Sequence, residues 1–312
     1  MVFTNWLDAM KATWANGTHA SHRQHVENHL RPRLGGVRLS MLNSLHVQNA
    51  MHAMERDGVS ASMRRHVAVT LRAALSYAVE MKLATANAAA AVPLPAKPKH
   101  KSEGITAEQV AVFLAEAQTD RLFALYPLAI DGGLRQGELL ALTWKDLDAD
   151  RGTIRVCKSL EEVGGKLALK APKNHSSIRV VMLTPSTLNT LAEHRKAMLA
   201  EGHCTPDKPI FCGPKLGKHL RKSDIYRHSF GPILKRAGLK FRFHDLRHAS
   251  ASLLLAGGVD VKTVQSRLGH SAASITMDIY AHAMDRGQQS AADEMQRILA
   301  PKPKHGLPVR TG

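Results

Sequence analysis

The sequence predicts a mainly α protein with a small β-sheet, arranged as two domains joined by a linker, and three observations carry this expectation. Apolar residues recur at three- and four-residue spacing before residue 92 and again after about residue 185. Short strand-like runs are confined to 153–157, 166–170 and 178–183. Between the first helical region and these runs lies ProLeuProAlaLysProLysHisLysSerGluGly at 93–104, where three prolines and several lysines interrupt any regular pattern.

Residues 1–92 form the first expected domain and read as entirely helical. Ser44 precedes an apolar stripe of Val47, Met51 and Met54, and Val67, Leu71, Leu75 and Val79 recur four apart. Arg64, Arg65 and Arg72 are interleaved with the second stripe, which predicts a basic outer face. Residues 93–104 read as an interdomain linker, with an ordinary surface loop as the alternative. Thr106 and Gln109 form a capping-box pattern that opens the second domain, 105–300.

Within the second domain, Arg135 follows a GlyGly turn and opens a helical run through Leu139, Leu140 and Leu142. At such a loop-to-helix corner the free backbone N–H groups favour anions. Glu138 is placed either to orient Arg135 or to cap the helix. The runs 166–170 and 178–183 flank the turn-prone ProLysAsnHisSerSer, which predicts a hairpin with Lys173 at its turn. Residues 285–300 are amphipathic through Met295, Ile298 and Leu299, and 301–312 read as a frayed tail.

Charge narrows the class of partner. The 312 residues carry 43 Lys and Arg against 26 Asp and Glu, a formal net charge of +17 with a pI near 10.1. Such a balance favours polyanions, although charge alone also suits a basic protein with no nucleic-acid function. Cys157, Cys204 and Cys212 show no CxxC pairing, which argues against a disulfide scaffold or zinc ribbon and fits a reducing compartment. The N terminus lacks a signal-peptide pattern and no apolar run approaches membrane-spanning length, so a cytoplasmic location is expected.

Six residues form an ordered set with the chemistry of a phosphodiester on their side chains. They are Arg135 in GlyGlyLeuArgGlnGlyGlu, Lys173 in AlaProLysAsn, His244 and Arg247 in PheHisAspLeuArgHis, His270 in LeuGlyHisSer, and Tyr280 in IleTyrAlaHis. Two guanidiniums suit bidentate binding of a nonbridging phosphate and the charge that grows on it under attack. A neutral imidazole at His244 suits proton transfer near pH 7, and His270 could donate to the same phosphate. Lys173 is placed to protonate a departing sugar oxygen, a role that Lys170 or Lys166 could fill instead. Tyr280, with an ordinary phenol pKa of ~10, needs a base or nearby cations to become a nucleophile.

In order and spacing this set resembles the tyrosine recombinases, the integrases of phages and mobile elements. The resemblance covers 105–283 and, more weakly, the helical region before it. It implies a helical core-binding domain and a catalytic domain that form a clamp on duplex DNA, with the linker crossing the backbone between them. It implies attack by Tyr280 to give a 3′-phosphotyrosyl bond and a free 5′ hydroxyl, with no metal or nucleotide cofactor. His244 would accept the phenol proton, Lys173 would protonate the leaving oxygen, and Arg135, Arg247 and His270 would bind the scissile phosphate. It further implies a homotetramer on paired recombination sites, with a DNA-bending or directionality factor as a further partner. Residues 285–300 would dock either on a neighbouring protomer or on their own domain. Many relatives carry an extra N-terminal domain for distant arm sites, whereas this chain starts in the core-binding region.

The same residues weigh against other classes. HisAspLeuArgHis at 244–248 has the histidine spacing of a zinc helix, but Asp245 stands where a general-base Glu is needed and Arg247 would repel the cation. No phosphate-cradling GxxxxGK[ST] loop is present, which argues against an ATP-driven motor. A type IB topoisomerase, a resolvase or transposon recombinase of the same family, and a DNA-binding regulator that does not cut remain as alternatives to integration and excision of a mobile element.

Overall fold

The computed structural model describes residues 2–96, 105–171, 178–215 and 217–269. The chain forms two compact units, Met1–Ser102 with Glu161–Ala168, and Glu103–Leu160 with Leu169–Gly312.

In the first unit the three- and four-residue apolar spacing becomes five helices: α1 (Val2–Met10), α2 (Asn16–His25), α3 (Arg31–Leu34), α4 (Ser44–Arg56) and α5 (Ala61–Glu80). The cap of α4 lies one residue before Ser44, where the Asn43 side chain accepts from the His46 N–H at 3.1 Å. Helices α2 and α3 run together through a widened turn, Val26–Leu30, in which the Arg31 N–H reaches back to the Val26 carbonyl. Pro32 accounts for it: a proline lacks the N–H for the Asn28 carbonyl and its ring collides with that oxygen in a regular helix. The widened turn aims Val26 and Leu30 into a core with Trp6, Met54, Val67 and Leu71. Ala74 and Ala78 complete the α5 stripe, and Val79 is only half-buried.

The three arginines on α5 do not form the free basic face that their spacing predicts. Arg72 donates through Nε to the Ala89 carbonyl at 3.0 Å and through Nη2 to the carbonyls of Ala90 and Val92. Arg65 donates to the Pro95 carbonyl at 3.0 Å, and Arg64 pairs with Glu55 at 2.6 Å. A segment that leaves regular structure has carbonyls without backbone donors, and these side chains supply them. The first residues of the expected linker are therefore tied to α5, and the rest of it, 97–104, lies outside the described residues.

Thr70 is the polar hub of this unit. It is fully buried, donates to the His66 carbonyl at 3.0 Å, and receives His22 Nδ1 and His25 Nδ1 at 2.9 Å each. A hydroxyl has one proton and two lone pairs, so both imidazoles carry hydrogen on Nδ1.

In the second unit α6 (Ala107–Ala117) starts at the expected capping box, with Thr106 Oγ1 accepting from the Gln109 N–H at 3.2 Å and Gln109 Oε1 from the Thr106 N–H at 3.1 Å. α7 (Leu125–Asp131) and α8 (Gln136–Ala141) follow, then β1 (Leu147–Asp148), β2 (Thr153–Val156), β3 (Ser159–Val163), β4 (Lys166–Lys170) and β5 (Arg179–Met182), with Glu161–Ala168 of β3 and β4 counted in the first unit. β1, β2 and β5 form an antiparallel sheet in that order, with Ile154 opposite Val181 and Val156 opposite Arg179. The expected hairpin between 166–170 and 178–183 is not formed: β4 pairs with β3, and β5 pairs with β2. The turn that closes β3 onto β4 is Gly164–Gly165, both with positive φ, the backbone a two-residue hairpin demands.

Helices then follow as α9 (Pro185–Ala200), α10 (Lys222–Ile225), α11 (Gly231–Ala237), α12 (Asp245–Ala256) and α13 (Val261–Leu268). A second widened turn, Tyr226–Phe230, precedes Pro232 as the first precedes Pro32. Phe113, Tyr126, Phe230, Phe241 and Phe243 pack edge to face or tilted, with ring centroids 5.0–6.4 Å apart. The residues 285–300 and 301–312 lie outside the described set, and no described helix is long and apolar enough to cross a membrane.

The histidines around Thr70 make the first unit sensitive to acid. Burial, and next the neighbouring imidazoles, lower the pKa of His22 and His25 below the ordinary 6.5. The unfolded chain then binds more protons below pH 6.5, so the stability these groups contribute is present above that value and lost as pH falls through their folded pKa. Amide exchange in α2 and α5 should accelerate between pH 7 and pH 5 beyond the intrinsic pH dependence, and less so in His22→Gln/His25→Gln. An unchanged acid response in the double variant would remove the two histidines from the linkage.

Candidate active site

Arg135 stands at the N-cap of α8 in extended conformation, one residue beyond the turn that its GlyGly pair predicts. Gly133 has φ +60, and a Cβ there would lie 2.2 Å from Leu268 Cδ2, so both the backbone and the space require glycine. The Gly133 carbonyl accepts Arg247 Nη1 at 2.6 Å. The corner that delivers one arginine thus anchors the other.

Glu138 fills both roles open to it. Its Oε2 accepts the Arg135 backbone N–H at 2.9 Å and its Oε1 accepts Arg135 Nη1 at 2.9 Å. The same carboxylate receives Arg179 Nη2 at 2.9 Å, with both side chains buried. Burial alone would raise the Glu138 pKa, but the hydrogen bond and charge of Arg179, followed by Arg135, outweigh it and hold the carboxyl below its ordinary value. Arg179 also donates through Nε to the Arg267 carbonyl at 2.7 Å, and Arg135 Nη2 donates to the Gly269 carbonyl at 2.9 Å. Arg267 in turn holds Asp131 Oδ1 at 2.9 Å. α7, α8, β5 and the end of α13 are thereby closed into one polar network.

Arg247 is 3% exposed and its Nη2 is buried with no hydrogen-bond partner among the described residues. Burial first, then the charge of Arg135, lower its pKa to about 9, which leaves it cationic at neutral pH. Among the described residues, the guanidiniums of Arg135 and Arg179 bond the Glu138 carboxylate, and that of Arg247 lies within its electrostatic reach. A cluster with that imbalance and an unused donor is an anion site.

His244 is the N-cap residue of α12 and is exposed, while Arg247, three residues on, is buried. Desolvation, then the charges of His248 and Arg247, lower the His244 pKa, and Arg135 contributes in the same direction. The imidazole is therefore neutral at pH 7 and lies within the electrostatic reach of both arginines. His248 packs edge-on against it, with ring centroids 4.9 Å apart.

Lys173, His270 and Tyr280 lie outside the described residues. Of the alternatives to Lys173, Lys166 is exposed and Lys170 half-buried on β4. Arg179 is the site residue that the sequence reading missed.

Comparisons with known proteins bear on the family and the fold. The phage integrase family model matches residues 103–286, and the phage integrase central domain model matches 1–93. A tyrosine recombinase XerC-like protein of Caldanaerobacter subterraneus is 28% identical, over 94% of this chain and 81% of its own length. The ICEBs1 integrase of Bacillus subtilis is 29% identical over 80% of this chain and 68% of its own, and the tyrosine recombinase XerC of Myxococcus xanthus 30% identical over 77% and 78%. Among solved structures, the Tn1549 transposon integrase in complex with transposon right end DNA superposes with a TM-score of 0.79 at 20% identity, covering 96% of this chain and 99% of that one. A λ integrase dimer bound to a COC′ core site gives 0.66 at 21%, covering 88% and 76%. These structural likenesses bear on the fold. The chain belongs to the phage integrase family, the tyrosine recombinases, and its activity is site-specific DNA recombination.

Loss of either end of the Glu138–Arg179 pair should be felt in the chemistry. Breaking a buried ion pair costs ~3–5 kcal/mol because the surviving charge is left unpaired. DNA cleavage by Arg179→Lys, which keeps the charge and loses the fork, should fall ~10²-fold with DNA affinity at fixed salt little changed. Wild-type cleavage by Arg179→Lys would remove Arg179 from the site.

Proposed function

We propose that the chain cuts and rejoins duplex DNA at paired recombination sites to integrate or excise a mobile element, with Arg135 and Arg247 as the clamp on the scissile phosphate. The observation that carries this reading is the buried Nη2 of Arg247, without a hydrogen-bond partner among the described residues, beside the guanidinium of Arg135. Charge on the nonbridging oxygens grows as phosphorus becomes five-coordinate, and fixed donors in a partly dry site stabilise that charge more than they stabilise the bound substrate.

The Tyr280 oxygen attacks phosphorus, the bond from phosphorus to the 5′ oxygen breaks, and the tyrosine is left joined to the 3′ phosphate. His244 accepts the phenol proton, a role supported by its neutrality at pH 7. Lys173 supplies the proton to the 5′ oxygen, and His270 adds a donor to the phosphate. The covalent bond retains the energy of the phosphodiester, so the 5′ hydroxyl of a second site can reverse the step and complete an exchange. Two sites with two cleavable strands each call for four protomers, and the λ integrase tetramer bound to a Holliday junction supports that stoichiometry. Residues 1–92 act as the core-binding domain, 93–104 as the linker and 105–300 as the catalytic domain, in keeping with the family matches at 1–93 and 103–286. The reaction takes place in the cytoplasm, uses no metal or nucleotide, and is steered by a bending or directionality factor.

DNA linked covalently to the protein should be recoverable from detergent-treated cells at a few discrete sequences, and Tyr280→Phe should abolish it. Adducts that persist in Tyr280→Phe would mean a different nucleophile. Affinity for duplex DNA should fall linearly on a log–log scale with salt, because each phosphate neutralised by Lys or Arg releases counterions. An affinity indifferent to salt would contradict a phosphate clamp. Cleavage should hold its rate as pH falls to 6.5 and decline only below it, since the His244 pKa is lowered; an acid limb that begins above pH 7 would remove His244 as the base.

A further inference from the structure

A recess of about 450 Å³ opens beside the two corners that carry Arg135 and His244. Phe243 lines it, backed by the fully buried Phe230 at a ring-centroid distance of 5.3 Å, and Tyr226 lies 6.2 Å from Phe230 while remaining 61% exposed. Lys222 and Arg227 are exposed on its rim, and Gln136 closes the remaining side. Two of these wall residues are bonded directly to site residues: Gln136 follows Arg135, and Phe243 precedes His244.

An aromatic floor, a rim that is cationic with no acidic residue among its lining, and a polar amide make the chemistry of a nucleotide pocket. Stacking on exposed rings accepts any base, cations take the flanking phosphates, and an amide bonds a base edge. The volume lies in the range of sites for small ligands, ~300–1,000 Å³. Strand exchange supplies a reason for such a pocket, because a cleaved strand must leave its own duplex before it can join another.

We propose that this recess takes the nucleobase next to the scissile phosphate, lifted from the duplex stack onto Tyr226 and the half-buried Phe243, with Lys222 and Arg227 on the adjoining phosphates and Gln136 at the base edge. The proposal rests on the reading of Arg135 and His244 as the site of the scissile phosphate.

The test is a binding cycle between protein and base. The full chain as Tyr280→Phe is titrated with a duplex carrying the sequence recovered with the chain from formaldehyde-treated cells, and with a series in which one nucleotide at a time is abasic. Tyr226→Ala should weaken binding to the intact duplex about tenfold and leave binding unchanged where one particular base, beside the cleavage point, is missing. Tyr226→Phe, which keeps the ring, should bind as the parent does and so guards against misfolding. Equal weakening on every duplex, or none on the intact one, would overturn the pocket. The cycle reads affinity and needs no covalent step, so the two readings fail separately. A normal Tyr280 adduct without coupling sinks the pocket alone, and coupling at a base far from the adduct sinks the assignment of the clamp.

Discussion

The buried carboxylate of Glu138 is the constraint on which the second unit depends. Guanidiniums repel one another and lose hydration when gathered, so a cluster of Arg135, Arg179 and Arg247 has no stable arrangement in a protein interior by itself. One carboxylate, held by the α8 cap and bonded to two of the three, makes the cluster tolerable and leaves it short of negative charge. In the reading proposed above, that shortage is what a phosphate would complete, with donors already fixed by folding rather than gathered at the moment of reaction.

Backbone carbonyls do the remaining positioning, and two of them belong to glycines. Arg247 is tied to Gly133 and Arg135 to Gly269, so each arginine is held by the turn that leads into a different part of the site. A side chain at Gly133 would strike Leu268, and one at Gly269 would come within 2.9 Å of Arg179 Nη1. Close approach and positive φ together account for glycine at both places.

Much of this was legible in the sequence, and the parts that were not have physical reasons. Spacing and capping patterns placed α5, α6 and α8 well, because those signals are local. The strand run 178–183 was readable, but its partner was not, since pairing across the sheet is decided by contacts far apart in the chain. β3 was missed because SerLeuGluGluVal carries two acids, although the GlyGly that follows it is a hairpin signal. Arg179 is the instructive failure. On β5 the alternation is regular, but Arg179 shares the buried face with Val181 while the apolar Val180 and Met182 are exposed. Only the unseen carboxylate opposite it accounts for an arginine on that face. The same applies on α5, where arginines expected to face outward turn to the carbonyls of a segment some twenty residues later.

The bond between Arg135 and the Gly269 carbonyl spans 134 residues, and that between Arg267 and Asp131 spans 136. Contacts so distant along the chain form late, after loop closure has been achieved, and during synthesis they await the emergence of nearly the whole polypeptide. The helical first unit needs none of them. A growing chain therefore completes the core of α1–α5 before the polar network around Glu138 closes, and that network is the last part of the described structure to be assembled.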